Sequence, residues 1–262
     1  MKRFVYPVIF IFFPILLFAG GSEDNWSIGF PIKGNGTMVT FEKPVAQFKN
    51  ILVSGSSVVY FHESQEYRTV VTVDSNLRDY VRLETRNDVL NIGTKRGRQC
   101  IFTQYIVDVY CPSLAGLSIS GSARFEAKDK ISTTAFRSSI SGQGKIEGTF
   151  ECDDFSAFVS GSAVYDSQVV CSSLKVDISG SGKLTLRGKA KDLNISVSGS
   201  TDFNGNELCA NNADIRVSGS ADIRLWVLDH LKGNSSGSGR IVYRGAPKVE
   251  YKSSGSGRLE SE

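Results

Sequence analysis

From about residue 114 onward, apolar and polar positions alternate in short runs, as in Leu174-Lys175-Val176-Asp177-Ile178 and Leu193-Asn194-Ile195-Ser196-Val197. A period of two sends successive side chains to opposite faces, so each run predicts a strand with one buried face. β-branched residues dominate the runs, which suits a pleated, half-buried surface. The runs recur in phase with a Ser-Gly pair, found at Ser120-Gly121, Ser141-Gly142, Ser160-Gly161, Ser179-Gly180, Ser198-Gly199, Ser218-Gly219, Ser236-Gly237 and Ser254-Gly255. Successive serines are 21, 19, 19, 19, 20, 18 and 18 residues apart. A period near twenty marks a solenoid, in which one supersecondary unit is stacked on itself.

Aligning the units on the serine gives three apolar columns. Five positions before it stand Ala115, Phe136, Phe155, Leu174, Leu193, Ala213, Leu231 and Val249. Immediately before it stand Ile119, Ile140, Val159, Ile178, Val197 and Val217, giving way to Ser235 and Ser253. Five positions after it come Phe125, Ile146, Tyr165, Leu184, Phe203, Ile223, Ile241 and Leu259. These columns must line the interior of a stacked coil. The Ser-Gly segments read as its corners, where glycine allows positive φ and close approach of neighbouring backbones. Their phase-locking to the columns excludes a flexible Gly/Ser linker. The fold class is therefore all-β, a parallel β-helix of about 19 residues per turn. Eight turns at about 4.8 Å each make a rod of roughly 40 Å. The last unit, Arg258-Leu259-Glu260-Ser261-Glu262, offers a charged edge that guards against end-to-end association.

Residues 38–113 carry strand-like runs at Met38–Phe41, Ile51–Val53, Val58–Phe61, Thr69–Val73, Tyr80–Glu84, Val89–Ile92 and Tyr105–Tyr110. Asp74-Ser75-Asn76 and Arg86-Asn87-Asp88 supply turn chemistry between them. Ser54-Gly55-Ser56 is an isolated copy of the repeat motif, 66 residues before the next. This region reads as a β-meander that continues or caps the regular turns of residues 114–262, since a solenoid needs atypical end units. Residues 22–37 read as a flexible, Gly-rich lead-in. Residues 1–21 read as a cleaved signal peptide: Lys2 and Arg3 precede an apolar run from Phe4 to Phe18 and the small residues Ala19-Gly20-Gly21. The run is shorter than the roughly 20 residues of a spanning helix, and Pro7 and Pro14 interrupt it. The expectation is an exported protein of the periplasm, outer surface or medium, with no transmembrane segment after cleavage.

Charge narrows the partners. The chain has 30 basic and 27 acidic residues, so there is no field to collect the phosphates of a nucleic acid. Five cysteines, Cys100, Cys111, Cys152, Cys171 and Cys209, include no C-x-x-C pair of a zinc or redox site. Cys152 and Cys171 share a repeat position, which fits either a disulfide between adjacent turns or a column of buried free thiols.

The segments Phe48-Lys49-Asn50-Ile51-Leu52-Val53-Ser54-Gly55-Ser56, Leu114-Ala115-Gly116-Leu117-Ser118-Ile119-Ser120-Gly121-Ser122 and Ile178-Ser179-Gly180-Ser181-Gly182 carry a family resemblance. With Ile241-Val242-Tyr243-Arg244-Gly245-Ala246-Pro247-Lys248-Val249 and the final Ser254-Gly255-Ser256-Gly257, the chain resembles the auto-transporter adhesin family called the head GIN domain. The likeness runs over residues 39–262. It implies an exported envelope protein with a right-handed parallel β-helix, and carries over no catalytic or binding residues.

No motif brings chemistry to the repeat. His62 and His230 are the only histidines, and neither has metal-ligand spacing. Gly144-Lys145, Gly182-Lys183 and Gly188-Lys189 do not complete a P-loop, and no cofactor is expected. One outward column remains, four residues after each serine: Arg124, Lys145, Val164, Lys183, Asp202, Asp222, Arg240 and Arg258. A second column of Glu126, Glu147, Asp166, Thr185, Asn204, Arg224, Val242 and Glu260 lies two positions further on. Arg124, Lys145, Lys183, Asp202, Asp222 and Arg240 are the candidate surface-binding residues, and an extracellular or envelope polysaccharide or surface is the expected partner. The function expected is a structural or adhesin-like binding module rather than an enzyme. The alternative is a polysaccharide lyase or hydrolase in which Asp202 and Asp222, one turn apart, hold calcium or share a proton.

Overall fold

The computed structural model describes residues 30–95 and 97–262; the signal-peptide reading falls on residues that lie outside these. Pro31–Glu262 forms one unit, a β-solenoid of about eight turns with roughly 19 residues in each. Its most regular part consists of Gln143–Val159, Ser162–Ile178, Ser181–Val197, Ser200–Val217 and Ser220–Ser235, each a single long strand bent around the coil. Successive turns pair in parallel, with Leu174 opposite Leu193 and Ile178 opposite Val197. The final turns break into Arg240–Arg244, Lys248–Ser253 and Arg258–Ser261.

The apolar columns form the core through Ile241, but at the ends of the stack, where fewer turns cover them, Ala115 and Leu259 are half-buried and Val249 is exposed. Leu174, Ile178, Leu184, Leu193, Val197 and Phe203 are all buried, and Phe136, Phe150 and Phe155 meet ring to ring at 4.7–5.5 Å. The corners show why serine and glycine recur. Each corner glycine, Gly121, Gly142, Gly161, Gly180, Gly199, Gly219, Gly237 and Gly255, sits against the carbonyl of the corner glycine one turn below, leaving no room for a Cβ. Positive φ occurs in this column at Gly55 alone, so close approach, and not backbone handedness, demands glycine in the regular turns. The serine hydroxyls turn back to the preceding turn: Ser179, Ser198 and Ser218 donate to the carbonyls of Val159, Ile178 and Val197 at 3.3–3.4 Å.

The 66-residue gap after Ser54 is an excursion that builds the N-terminal cap. Asn50–Val53 pairs in parallel with Gly116–Ile119, so the Ser54 corner lies directly beneath the Ser120 corner. The amides of Ser120 and Ser122 donate to Val53 and Gly55 at 2.9 Å. Between these two turns the chain passes below them both. Val89–Thr94 lies under Asn50–Val53, and Tyr105–Cys111 lies under Val58–Glu63, again in parallel. Antiparallel strands then close the stack. Arg68–Asp74 pairs with Tyr105–Cys111, Met38–Pro44 pairs with Arg68–Asp74, and Val81–Arg86 pairs with Val89–Thr94. The Val81–Thr94 hairpin turns through Asn87 and Asp88, both at positive φ, as a two-residue hairpin loop requires. Where a simple turn was expected after Asp74, the chain forms a short 3-10 helix, Ser75–Tyr80, that buries Leu77.

The described end of the lead-in is tied down. Ile32–Lys33 pairs with Cys100–Ile101, and the carboxylate of Asp74 accepts from the amides of Gly36 and Thr103, each at 2.8 Å. Burial opposes ionisation of Asp74, but these amide donors outweigh it and hold the carboxyl below its ordinary value. The sign of the pH effect follows. A depressed folded pKa gives stability that is complete above the unfolded value of 3.8 and is lost as pH falls from there through the folded value. Asp74→Asn leaves one of the two amides without an acceptor. It is expected to lower the denaturation midpoint at neutral pH and to speed amide exchange in Ile32–Lys33, with the difference from wild type shrinking in acid. An unchanged midpoint and exchange rate would show that the carboxylate does not clamp the cap.

Candidate functional site

The sequence-derived surface residues meet in one stacked column. Arg124 pairs with Lys145, Lys145 with Val164, Val164 with Lys183, Lys183 with Asp202, Asp202 with Asp222, and Asp222 with Arg240. Alternation points these side chains outward, while Phe125, Leu184 and Phe203 beside them are fully buried. Val58 and then Ile106 continue the column toward the cap.

The second column neutralises much of the first. Arg124 reaches Glu147 at 2.7 Å and Glu126 at 3.1 Å, and Lys145 reaches Glu147 at 2.8 Å. The Lys128 ammonium, hydrogen-bonded to Glu126, holds that carboxyl below its ordinary value. Arg240 meets Glu260 at 2.7 Å. Asp202 and Asp222 share Arg224, whose guanidinium lies 3.7 Å from one carboxylate and 2.8 Å from the other. The two carboxylates are thus ion-paired to one guanidinium and do not form an open ligand set.

Two shallow grooves flank the column. One, of about 600 Å3, runs past Lys183, Asp202, Asp222 and Arg240; the other, of about 750 Å3, holds Arg124, Lys145 and Val164. They share Ser162 and Ala163, so they form one furrow along the rod. One wall is the second corner hydroxyl, as in Ser162, Ser181, Ser200 and Ser220, and the floor is the small position that follows it, as in Ala163, Gly182, Thr201 and Ala221. Phe102, Gln104, Tyr105 and Ile106 from the cap line the larger groove. Sequence reasoning missed these four. The usable signal was Val58, four residues after Ser54, which extends the outward column into the cap.

His62 lies 2.9 Å from Asp108 and stacks on Tyr110, which Arg68 covers at 3.7 Å. All five cysteines are free, and Cys152 and Cys171 are register partners in adjacent turns. Burial pushes their thiols up to about 11 and about 12, which leaves little thiolate at neutral pH for nucleophilic chemistry. Among the described residues, no group of three His, Cys, Asp or Glu side chains could hold a metal ion. No helix among them is long and apolar enough to cross a membrane.

The family model described as "Putative auto-transporter adhesin, head GIN domain" matches residues 47–168 and 159–247. The chain belongs to this family. Solved structures share the fold. A "putative adhesin" from Parabacteroides merdae is 26% identical, with a TM-score of 0.78 over 88% of this chain and 98% of its own. Another "putative adhesin", from Parabacteroides distasonis, is 27% identical, with a TM-score of 0.78 over 88% of this chain and 99% of its own. No curated protein matches the chain.

Proposed function

We propose that this head GIN protein is an exported attachment module that holds an extended polysaccharide of the cell envelope or its surroundings, without turnover. The observation that carries the reading is repetition. The outward column and its furrow run in register from Arg124 to Arg240, presenting shallow contacts at the same position of each turn. Weak contacts of this kind gain strength by multivalency on a polymer. Catalysis instead needs one concave site with convergent groups, whereas Asp202 and Asp222 are both ion-paired to Arg224 in a shallow furrow.

Cells that carry the protein are expected to attach to polysaccharide-coated surfaces and to lose that attachment when its gene is deleted. Protein recovered from their surface should begin near Ser22. Incubation with glycans should release no reducing or unsaturated ends, and Asp202→Asn combined with Asp222→Asn should leave attachment largely intact. Glycan cleavage abolished by that double substitution would replace attachment with an enzyme. Attachment unaffected by deletion would remove the adhesive role.

A further inference from the structure

We propose that the cap-proximal groove is the principal binding subsite and that its ligand is a linear, 1,4-linked glycan bearing carboxylates. The inference rests on the polysaccharide reading above and adds to it a location and a chemical class. The groove is the larger of the two in the furrow, at about 750 Å3, and differs from the rest in its lining. Phe102, Val58, Ile106 and Val164 give it apolar surface, and Val164 is 40% exposed there. Phe102 is set in place by stacking on buried Tyr105 at 4.8 Å. Apolar surface joined to a few fixed polar groups is the usual make-up of a small-ligand site, and it suits the apolar face of a pyranose ring.

Charge selects the substituent. Arg124 and Lys145 line the groove with side chains 45% and 39% exposed, whereas the carboxylates they pair with, Glu126 and Glu147, are 24% and 21% exposed. Lys128 also pairs with Glu126, so three cations face two carboxylates and the cluster is left net positive. A ligand carboxylate can accept charge-assisted hydrogen bonds from the exposed cations without displacing the pairs behind them.

Spacing accommodates a linear glycan. The furrow crosses the strands, so a bound chain meets one turn about every 4.8 Å. A 1,4-linked pyranose advances by about one turn per residue and meets Ser122, Gln143 and Ser162 in three successive turns.

The test is calorimetric titration of the exported chain with hexagalacturonate, a neutral 1,4-linked hexasaccharide and hexaglutamate. Hexagalacturonate is expected to bind at least about ten-fold more tightly than either of the others. Val164→Trp, which fills the groove from an exposed position, should weaken it by at least about ten-fold, while Leu228→Trp, at another exposed position, should not. Lys145→Gln should cost about ten-fold for hexagalacturonate and leave the neutral sugar unchanged. Melting curves for each variant separate loss of binding from loss of fold. Equal binding of hexaglutamate, equal binding of the neutral sugar, insensitivity to Val164→Trp, or no binding of hexagalacturonate would each overturn the proposal. Cells that carry Val164→Trp and still attach to polysaccharide would show that the groove assignment fails while the attachment reading stands.

Discussion

Leu184→Asp is expected to destabilise the solenoid by at least about 4 kcal/mol, and its sequence neighbour Lys183→Asp by well under 1 kcal/mol. The two positions differ only in the face of the strand they occupy. Leu184 is fully buried and lies in register between Tyr165 below and Phe203 above, both buried as well. An aspartate there would bury a carboxylate with no donor, or take up a proton and leave a polar group unpaired in an apolar column. Lys183 stands on the furrow wall, where a carboxylate remains in water. Because each turn of a solenoid is stabilised mainly by its neighbours, the Leu184 change should loosen the turns on both sides of it. Urea unfolding of the two variants measures the difference. Equal tolerance would mean that the inward and outward faces have been exchanged.

That contrast can be drawn from the sequence because alternation and repeat phase are separate signals that agree. Alternation says that residues 183 and 184 point in opposite directions, and the serine alignment says which direction is inward. The same counting located the outward column from Arg124 to Arg240, and all its members stack in register. The cap was less legible for a physical reason. Its strands mix parallel and antiparallel pairs out of chain order, so neither phase nor spacing shows that Tyr105–Cys111 lies beneath Val58–Glu63. Asp74 was hidden for a related reason. Its partners Gly36 and Thr103 lie 38 and 29 residues away, and a single aspartate beside a serine and an asparagine reads as a turn. The charge network was legible as composition but not as pairing. That Arg224 would serve both Asp202 and Asp222 depends on side-chain reach across adjacent turns.

Gly199→Ala is expected to cost about 3 kcal/mol, a large effect for one added methyl group. Its Cβ would fall on the carbonyl oxygen of Gly180 in the turn below, and the backbone carbonyl of Ser179 stands only 3.0 Å away. These are backbone atoms of paired strands, so relief requires the turns to separate at the corner. There the amides of Ser198 and Ser200 donate to Ile178 and Gly180 at 2.8 and 3.0 Å. The φ of Gly199 lies outside the left-handed region, so strain of the new alanine's own backbone is not the cause. Loss of chain entropy in the unfolded state acts in the opposite direction, since Gly→Ala at an unhindered site stabilises by about 0.4–1 kcal/mol. The sign of the measured change therefore decides between close approach and simple flexibility at the corner. The neighbouring Ser200→Ala, on an exposed side chain, should stay within about 0.5 kcal/mol of wild type. Combining Gly199→Ala with Gly180→Ala adds a second test. If the first methyl already parts the turns, the second should cost less than it does alone, because contacting sites couple. A stabilising or neutral Gly199→Ala would show that the glycine column is not needed for stacking.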